Sequence, residues 1–376
     1  MNIKKYKEQL LNSAMFNLSL SSKELFHSNF IAFLINSDIS VLDYLFDDFI
    51  DIKWEKEIKV EREKDNFDLL IYDKENCLII ENKVKSLPYI PQLLEYQKKA
   101  ENKFKNFNKK YILMTIYEPS ELMFQEKGEW IVLNYKEILK RLKKYSEVLE
   151  ISYLKEIVLD YINFMEILVG LFNELKINED QSIYIDKHVL NDLKELRIHD
   201  LFYKSRFETL KADLITRINN DYEGKYKVVE FNKWDSLTKN EIAVDNNFTR
   251  GTGLFELKVP INTLNKNNKS VIGLQLQDHT FKLLIQSTNK KTITAIAEKL
   301  NSNNIWFDFS LLDKVCEATY NQRKDYCSYN SKEGLFLYKH KKIKDISKSK
   351  IIDLFMEYLK YILDNEDIIT EVFLDM

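Results

Sequence analysis

A chain of 376 residues exceeds a single ordinary domain of roughly 100 to 200 residues, and 45% hydrophobic and 13% aromatic side chains with 7 Gly and 4 Pro exclude a disordered protein. The 56 Lys and Arg against 59 Asp and Glu give a formal net charge of −3, which excludes a global positive field, so a polyanion must be held by a local basic surface or through metal ions. Cys77, Cys316 and Cys327 lie too far apart for a cysteine zinc site and fit a reducing compartment, and no run of about 18 apolar residues occurs, so a cytoplasmic protein with no membrane span is expected.

Residues 3–48 read as helices, because SSKELFHSNFIAFLINS and VLDYLFDDFI space their apolar residues by three and four. Ser21 with Glu24 three residues on fits a capping box for the second helix. IKVE, FDLLIYD and CLIIENKV are strand-like, and the last two are joined by the polar loop Lys74-Glu75-Asn76, as in a hairpin. Pro91 suits the first turn of a helix through QLLEYQKKAENKF; KKYILMTIYE and EWIVLNY are further strands, and Asn134 with Glu137 caps another helix. Helical periodicity runs from 147 to 176. The polar stretch KINEDQS then marks a boundary near 177–183, giving two domains, 1–176 and 184–376. The second opens with a helical pattern over 186–220, continues through the strand-like KVVEF, EIAV, LFELKVPI, SVIGLQLQ and FKLLIQ, and closes on helices near 290–302 and in KIIDLFMEYLKYILDN. An α+β domain is expected there.

The chemistry gathers in NFDLLIYDKENCLIIENKVKS. Residues two apart on a strand share a face, so Glu81 and Lys83 project together while Asn82 faces away, and Asp68 sits on the partner strand of the hairpin. Two converging carboxylates are oxygen ligands suited to Mg²⁺ or Mn²⁺, an ion that activates water and neutralises charge on a phosphate. Lys83 beside them would orient that water or stabilise the pentacoordinate phosphorus. The alternative is a solvated hairpin face carrying weak surface pairs. Glu-x-Lys recurs elsewhere, most notably at Glu256 and Lys258 downstream of Asp245, but no helix is expected to follow there, and Glu256 and Lys258 are expected to stand without a second converging acid. After Lys83, Gln92 and Tyr96 fall four apart on one helix face, directed back toward the strand ends.

The run ENKVKS followed by QLLEY, with DLLIYD and ELFHSNFIAFL upstream, resembles the PD-(D/E)XK nuclease superfamily, particularly bacterial members with an IENK strand and a Gln-x-x-x-Tyr helix. The resemblance covers about residues 20–140, and Asn66-Phe67 stands where a proline would precede the aspartate. It implies an α/β restriction-endonuclease-like core, a mixed sheet flanked by helices, ahead of the α+β domain. It further implies that Asp68 and Glu81 bind the catalytic metal with the backbone carbonyl of Asn82, that Lys83 is the catalytic lysine, and that Gln92 and Tyr96 position the scissile strand or a metal-bound water. Glu24 matches the helical glutamate that often completes such sites, although its capping box with Ser21 also explains an acid there. His27 and Ser28 could assist at the site, but a helical His beside apolar residues reads rather as packed or capping, and both stand outside the expected site.

In the second domain, Lys341, Lys342 and Lys344 lie in a basic run just after Phe336 and Tyr338, a combination able to grip a phosphate backbone; the alternative is a solvated lysine-rich loop. The terminal helix is free to pack on its own domain or on a second subunit, which leaves a homodimer or higher oligomer open. The expected function is a Mg²⁺-dependent nuclease acting on DNA, with the second domain serving substrate selection, sensing or assembly, and the resemblance implies defence against foreign DNA. The rival is a nuclease-like fold kept as a catalytically silent nucleic-acid or protein-binding module.

Overall fold

The computed structural model describes residues 3–22, 24–55, 57–84, 86–117, 127–229, 234–249, 251–261, 269–319, 326–330 and 334–374. The chain divides into two units that exchange a segment. The first comprises Met1–Lys176 and Lys187–Phe202, the second Ile177–Asp186 and Tyr203–Met376.

The first unit opens with four helices, α1 (Ile3–Leu11), α2 (Ala14–Ser22), α3 (Glu24–Ser37) and α4 (Val41–Phe46). In α3 the apolar positions recur at helical spacing, so Phe30, Ile31, Leu34 and Ile35 are buried. Ser21 falls inside α2 rather than ahead of α3, so it is not the N-cap expected from sequence; its side chain and that of Glu24 lie outside the described residues.

Three strands follow, β1 (Lys59–Lys64), β2 (Phe67–Tyr72) and β3 (Asn76–Lys83), then α5 (Ile90–Lys103), β4 (Asn108–Thr115) and β5 (Trp130–Asn134). They form a five-stranded sheet in the order β1-β2-β3-β4-β5. β1, β2 and β3 pair antiparallel, whereas β3, β4 and β5 pair parallel. This change of direction follows from the connections: a turn of a few residues can only reverse the chain, while α5 carries it back to start a parallel neighbour. Pro91 stands in the first turn of α5, where its missing N–H is no loss. Asn134 caps α6 (Tyr135–Val148) by accepting the Lys136 N–H at 2.9 Å. α7 (Ser152–Leu175) then presents Tyr161, Phe164, Leu168 and Leu171 to the core, and α3 packs on the sheet beside β1, β2 and β3. The first unit is therefore a mixed sheet flanked by helices.

α8 (Lys187–Glu195) packs against α1 within the first unit, and α9 (His199–Asp221) leads into the second. There β6 (Lys227–Val229), β7 (Glu241–Thr249), β8 (Thr252–Ile261), β9 (Ser270–Gln277), β10 (Thr280–Ser287), α10 (Ile293–Ser302), α11 (Ser310–Val315), β11 (Ala318–Thr319), β12 (Cys327–Asn330) and β13 (Leu335–Ile343) precede α12 (Lys348–Asp364) and α13 (Glu366–Leu374). The sheet runs β11-β13-β10-β9-β8-β7-β6, with β12 pairing β13. One face is apolar and packs on α12, with Phe255 and Phe355 ring centroids 4.6 Å apart. Of the lysine-rich run, read from sequence as a basic grip or a loop, Lys339–Ile343 is the second half of strand β13, Lys344 follows the strand, and Lys348 and Lys350 open α12.

Candidate active site

β3 is the middle strand of its sheet and is buried from Cys77 to Lys83. Its first residues achieve this with apolar side chains, but Glu81, Asn82 and Lys83 are 2%, 1% and 7% exposed and must find polar partners. Strand alternation divides them between two faces. Glu81 and Lys83 share one, where Lys83 Nζ donates to Glu81 Oε1 at 2.7 Å. The β2–β3 register runs from Tyr72↔Cys77 to Leu69↔Ile80, and one further step sets Asp68 across from Glu81. Asp68 Oδ2 accepts the backbone N–H of Asn82 at 2.8 Å. The solvated hairpin face considered from sequence therefore does not hold for Glu81 and Lys83.

α5 covers the same face. Gln92 Nε2 donates to the Tyr96 hydroxyl one turn on at 2.8 Å, and the Tyr96 ring meets Phe67 edge-on at 5.7 Å. Burial raises the Tyr96 pKa; the Glu81 and Asp68 carboxylates push the same way, against the Gln92 hydrogen bond and the Lys83 charge. Tyr96 thus lies within electrostatic reach of all three charged groups, and the structure brings Asp68, Glu81, Lys83, Gln92 and Tyr96 together.

Asn82 points to the opposite face, where its Oδ1 accepts the Tyr135 hydroxyl at 3.1 Å. Behind it the Tyr161 hydroxyl is bonded to Tyr135 and lies 2.9 Å from His27 Nδ1. His27, Tyr135 and Tyr161 are each 0% exposed. Sequence reasoning left these three outside the site. The one available signal was a polar Asn following Ile79 and Ile80 in a strand buried on both faces.

The second unit separates the lysines grouped from sequence. Lys341 is 3% exposed and donates to both carboxylate oxygens of Asp313, at 2.7 and 2.6 Å, while Lys342 and Lys344 are exposed. The expectation that Glu256 and Lys258 lack a second acid is corrected, because the β7–β8 register sets Asp245 directly across from Glu256. That Glu256 differs in being engaged on both oxygens, by Lys258 Nζ at 3.1 Å and Gln275 Nε2 at 2.8 Å, and the next described element is the antiparallel strand β9.

Two facing carboxylates with a nearby main-chain carbonyl are a hard-oxygen donor set. It fits a divalent ion of the Mg²⁺ type, which keeps several waters and takes one or two protein carboxylates, better than an ion needing a full protein cage. Among the described residues no group of three or more His, Cys, Asp or Glu is gathered to form such a cage. Nor is any described helix long and apolar enough to cross a membrane.

No curated protein and no solved structure matches the chain. Residues 14–163 match the sequence model of the PD-(D/E)XK nuclease superfamily, a stretch that contains all five strands of the first sheet and the residues gathered around Glu81. Over that stretch the chain is similar to members of the PD-(D/E)XK nuclease superfamily.

Proposed function

We propose that the N-terminal unit is a Mg²⁺- or Mn²⁺-dependent nuclease that hydrolyses phosphodiester bonds of DNA in the cytoplasm. The observation that carries this reading is the buried cluster at the end of β3, in which Asp68 stands across from Glu81 and Lys83 shares the face of Glu81. A structural role would not need a buried acid and lysine, faced by a second, half-buried acid, at the end of a strand otherwise filled by Leu78, Ile79 and Ile80. A bound divalent ion would supply a Lewis acid and a more acidic water at this place. Asp68, Glu81 and the Asn82 carbonyl would hold it. Lys83, now held by Glu81, would stabilise charge developing on phosphorus, and the Gln92–Tyr96 pair offers polar groups to orient water or a strand of substrate. Lys342 and Lys344 offer further phosphate contacts from the second unit, whereas Lys341 is committed to Asp313. The resemblance extends the reading to defence against foreign DNA, with the second unit serving substrate selection, sensing or assembly.

The test is incubation with DNA and RNA, single and double stranded, in Mg²⁺, Mn²⁺ or EDTA. Cleavage of DNA that requires the metal is expected. Asp68→Asn and Lys83→Ala should each slow it by about 10²- to 10³-fold. Cleavage that persists in EDTA, or in Asp68→Asn, overturns the assignment. Nucleic-acid binding without any cleavage would instead favour the silent binding module.

A further inference from the structure

The β2–β3 ladder ends at Leu69↔Ile80, so Glu81, Asn82 and Lys83 lie beyond its last registered pair on that side. On the other side β4 pairs these residues as far as Lys83↔Thr115, but toward β2 what holds the peptide is made of side chains. Asp68 takes the Asn82 N–H at 2.8 Å, and Tyr135 donates to Asn82 Oδ1 at 3.1 Å. Asn82 Nδ2 is buried and meets no acceptor among the described residues, which leaves the Tyr135 hydroxyl as the group that fixes this amide.

The direction of the remaining bonds follows from that one. Tyr135 spends its only hydroxyl proton on Asn82, so it can only accept from Tyr161; Tyr161 then accepts from His27, which requires the proton of His27 on Nδ1. Donors therefore run one way, from His27 through Tyr161 and Tyr135 to Asn82, whose own N–H ends on Asp68. The rings cannot drift, because Tyr161 is stacked on Phe30 at 3.7 Å between centroids and His27 lies parallel to Phe164 at 6.1 Å. The chain ties α3, α7 and the first residue of α6 to the one peptide flanked by Glu81 and Lys83, and any rotation of that peptide tilts both side chains.

We propose that His27, Tyr161 and Tyr135 are positioning residues that act through the Asn82 side chain to set the geometry of the Asp68, Glu81 and Lys83 site. This rests on the reading of that site as a divalent-metal centre. Side chains one layer behind metal ligands typically change metal affinity by about 10- to 100-fold when lost.

Tyr135→Phe removes one hydroxyl and keeps the ring. The full chain and its variant are titrated with Mn²⁺, and separately with Ca²⁺, by calorimetry without nucleic acid, and amide exchange is followed in the peptide covering 79–84. Metal affinity should fall by about 10-fold, and the amides of 81–83 should exchange faster. Tyr161→Phe spares the Tyr135–Asn82 bond and should give a smaller loss of the same kind; it carries the decision if Tyr135→Phe does not fold. A variant that lowers the melting temperature while metal affinity stays within about twofold of wild type overturns the proposal. Asp68→Asn separates the two readings. If it abolishes metal binding and the tyrosine variants do not weaken it, only the positioning chain fails; if it leaves metal binding unchanged, the site assignment fails and the proposal with it.

Discussion

Asp73 closes the turn between β2 and β3 and so aligns the two strands that bear Asp68 and Glu81. Its Oδ1 accepts the backbone N–H groups of Glu75 at 2.8 Å and Asn76 at 2.6 Å, and its Oδ2 accepts the Glu55 N–H at 3.1 Å and Asn76 Nδ2 at 3.1 Å. Burial alone would raise its pKa, but these donors outweigh burial and hold the carboxyl below its ordinary value. A depressed carboxylate adds stability that is fully present above its unfolded pKa and is lost as pH falls through the lowered folded value. The expected outcome is that Asp73→Asn costs about 1 to 3 kcal/mol near pH 7, read from urea midpoints. As pH drops below about 4, wild type should lose its advantage and the two curves should converge. A constant gap down to the acid transition would show that the charge of Asp73 plays no part.

At the scale of elements, close approach constrains the second sheet at Gly273 on β9, which pairs with Lys258 on β8 and Leu284 on β10. A Cβ added there would come 2.1 Å from the backbone oxygen of Leu257, and that atom cannot rotate away as a side-chain end would. Gly273→Ala should therefore destabilise the chain by about 3 kcal/mol in chemical denaturation. A change under about 0.5 kcal/mol would mean that the strands shift apart at little cost. β2, β3, β4 and β5 were legible in the sequence because their apolar runs are bounded by turn residues, and α5 and α6 because Pro91 and Asn134 mark their starts. β13 was not. KHKKIK carries the composition of a solvated loop, and what engages its inward lysines comes from far along the chain: Asp313 neutralises the buried Lys341, and Asn301 accepts from Lys339 Nζ at 3.0 Å. The same limit applied to the site. Asp68, Glu81 and Lys83 follow from spacing within one hairpin, whereas Tyr135 and Tyr161 meet Asn82 and His27 only through tertiary packing. Ser21 shows the opposite failure, since a local capping pattern lost to continuation of α2 through Ser22.

At the scale of the whole molecule, the polar stretch after Lys176 is a crossing point, but the chain returns. Lys187–Phe202 belongs to the first unit, and Leu193, Leu196, Ile198, Leu201 and Phe202 are buried to 1% exposure or less. Phe202 packs on Phe172 with centroids 4.6 Å apart, and Lys7 on α1 bonds Asp192 at 2.8 Å and Glu195 at 2.6 Å. Burial of each such apolar side chain contributes about 1.5 to 3 kcal/mol, while whole domains are stable by only about 5 to 15 kcal/mol. A chain ending at Lys176 should therefore lack a cooperative thermal transition that a chain ending at Phe202 retains, as followed by circular dichroism. Equal melting temperatures would show that α8 adds nothing to the first core.

The segment Ile177–Asp186, by contrast, belongs with residues near the other end of the sequence. Ile183 N–H donates to the Ile346 carbonyl at 3.0 Å, Lys348 N–H donates to the Gln181 carbonyl at 3.0 Å, and Lys348 Nζ reaches Glu179 at 2.7 Å. During synthesis, 348 − 186 = 162 further residues must be added before that partner strand of chain exists. At about 5 to 20 residues per second, this is an interval of roughly 10 to 30 s. Once Phe202 has also been made, a nascent chain whose first unit can close around α8 carries ten residues, 177–186, threaded between two folded stretches of that unit and waiting for their place. The ribosome-bound protein is thus open to proteases and chaperones at that stretch, and translation speed over residues 203–348 sets how long the window lasts.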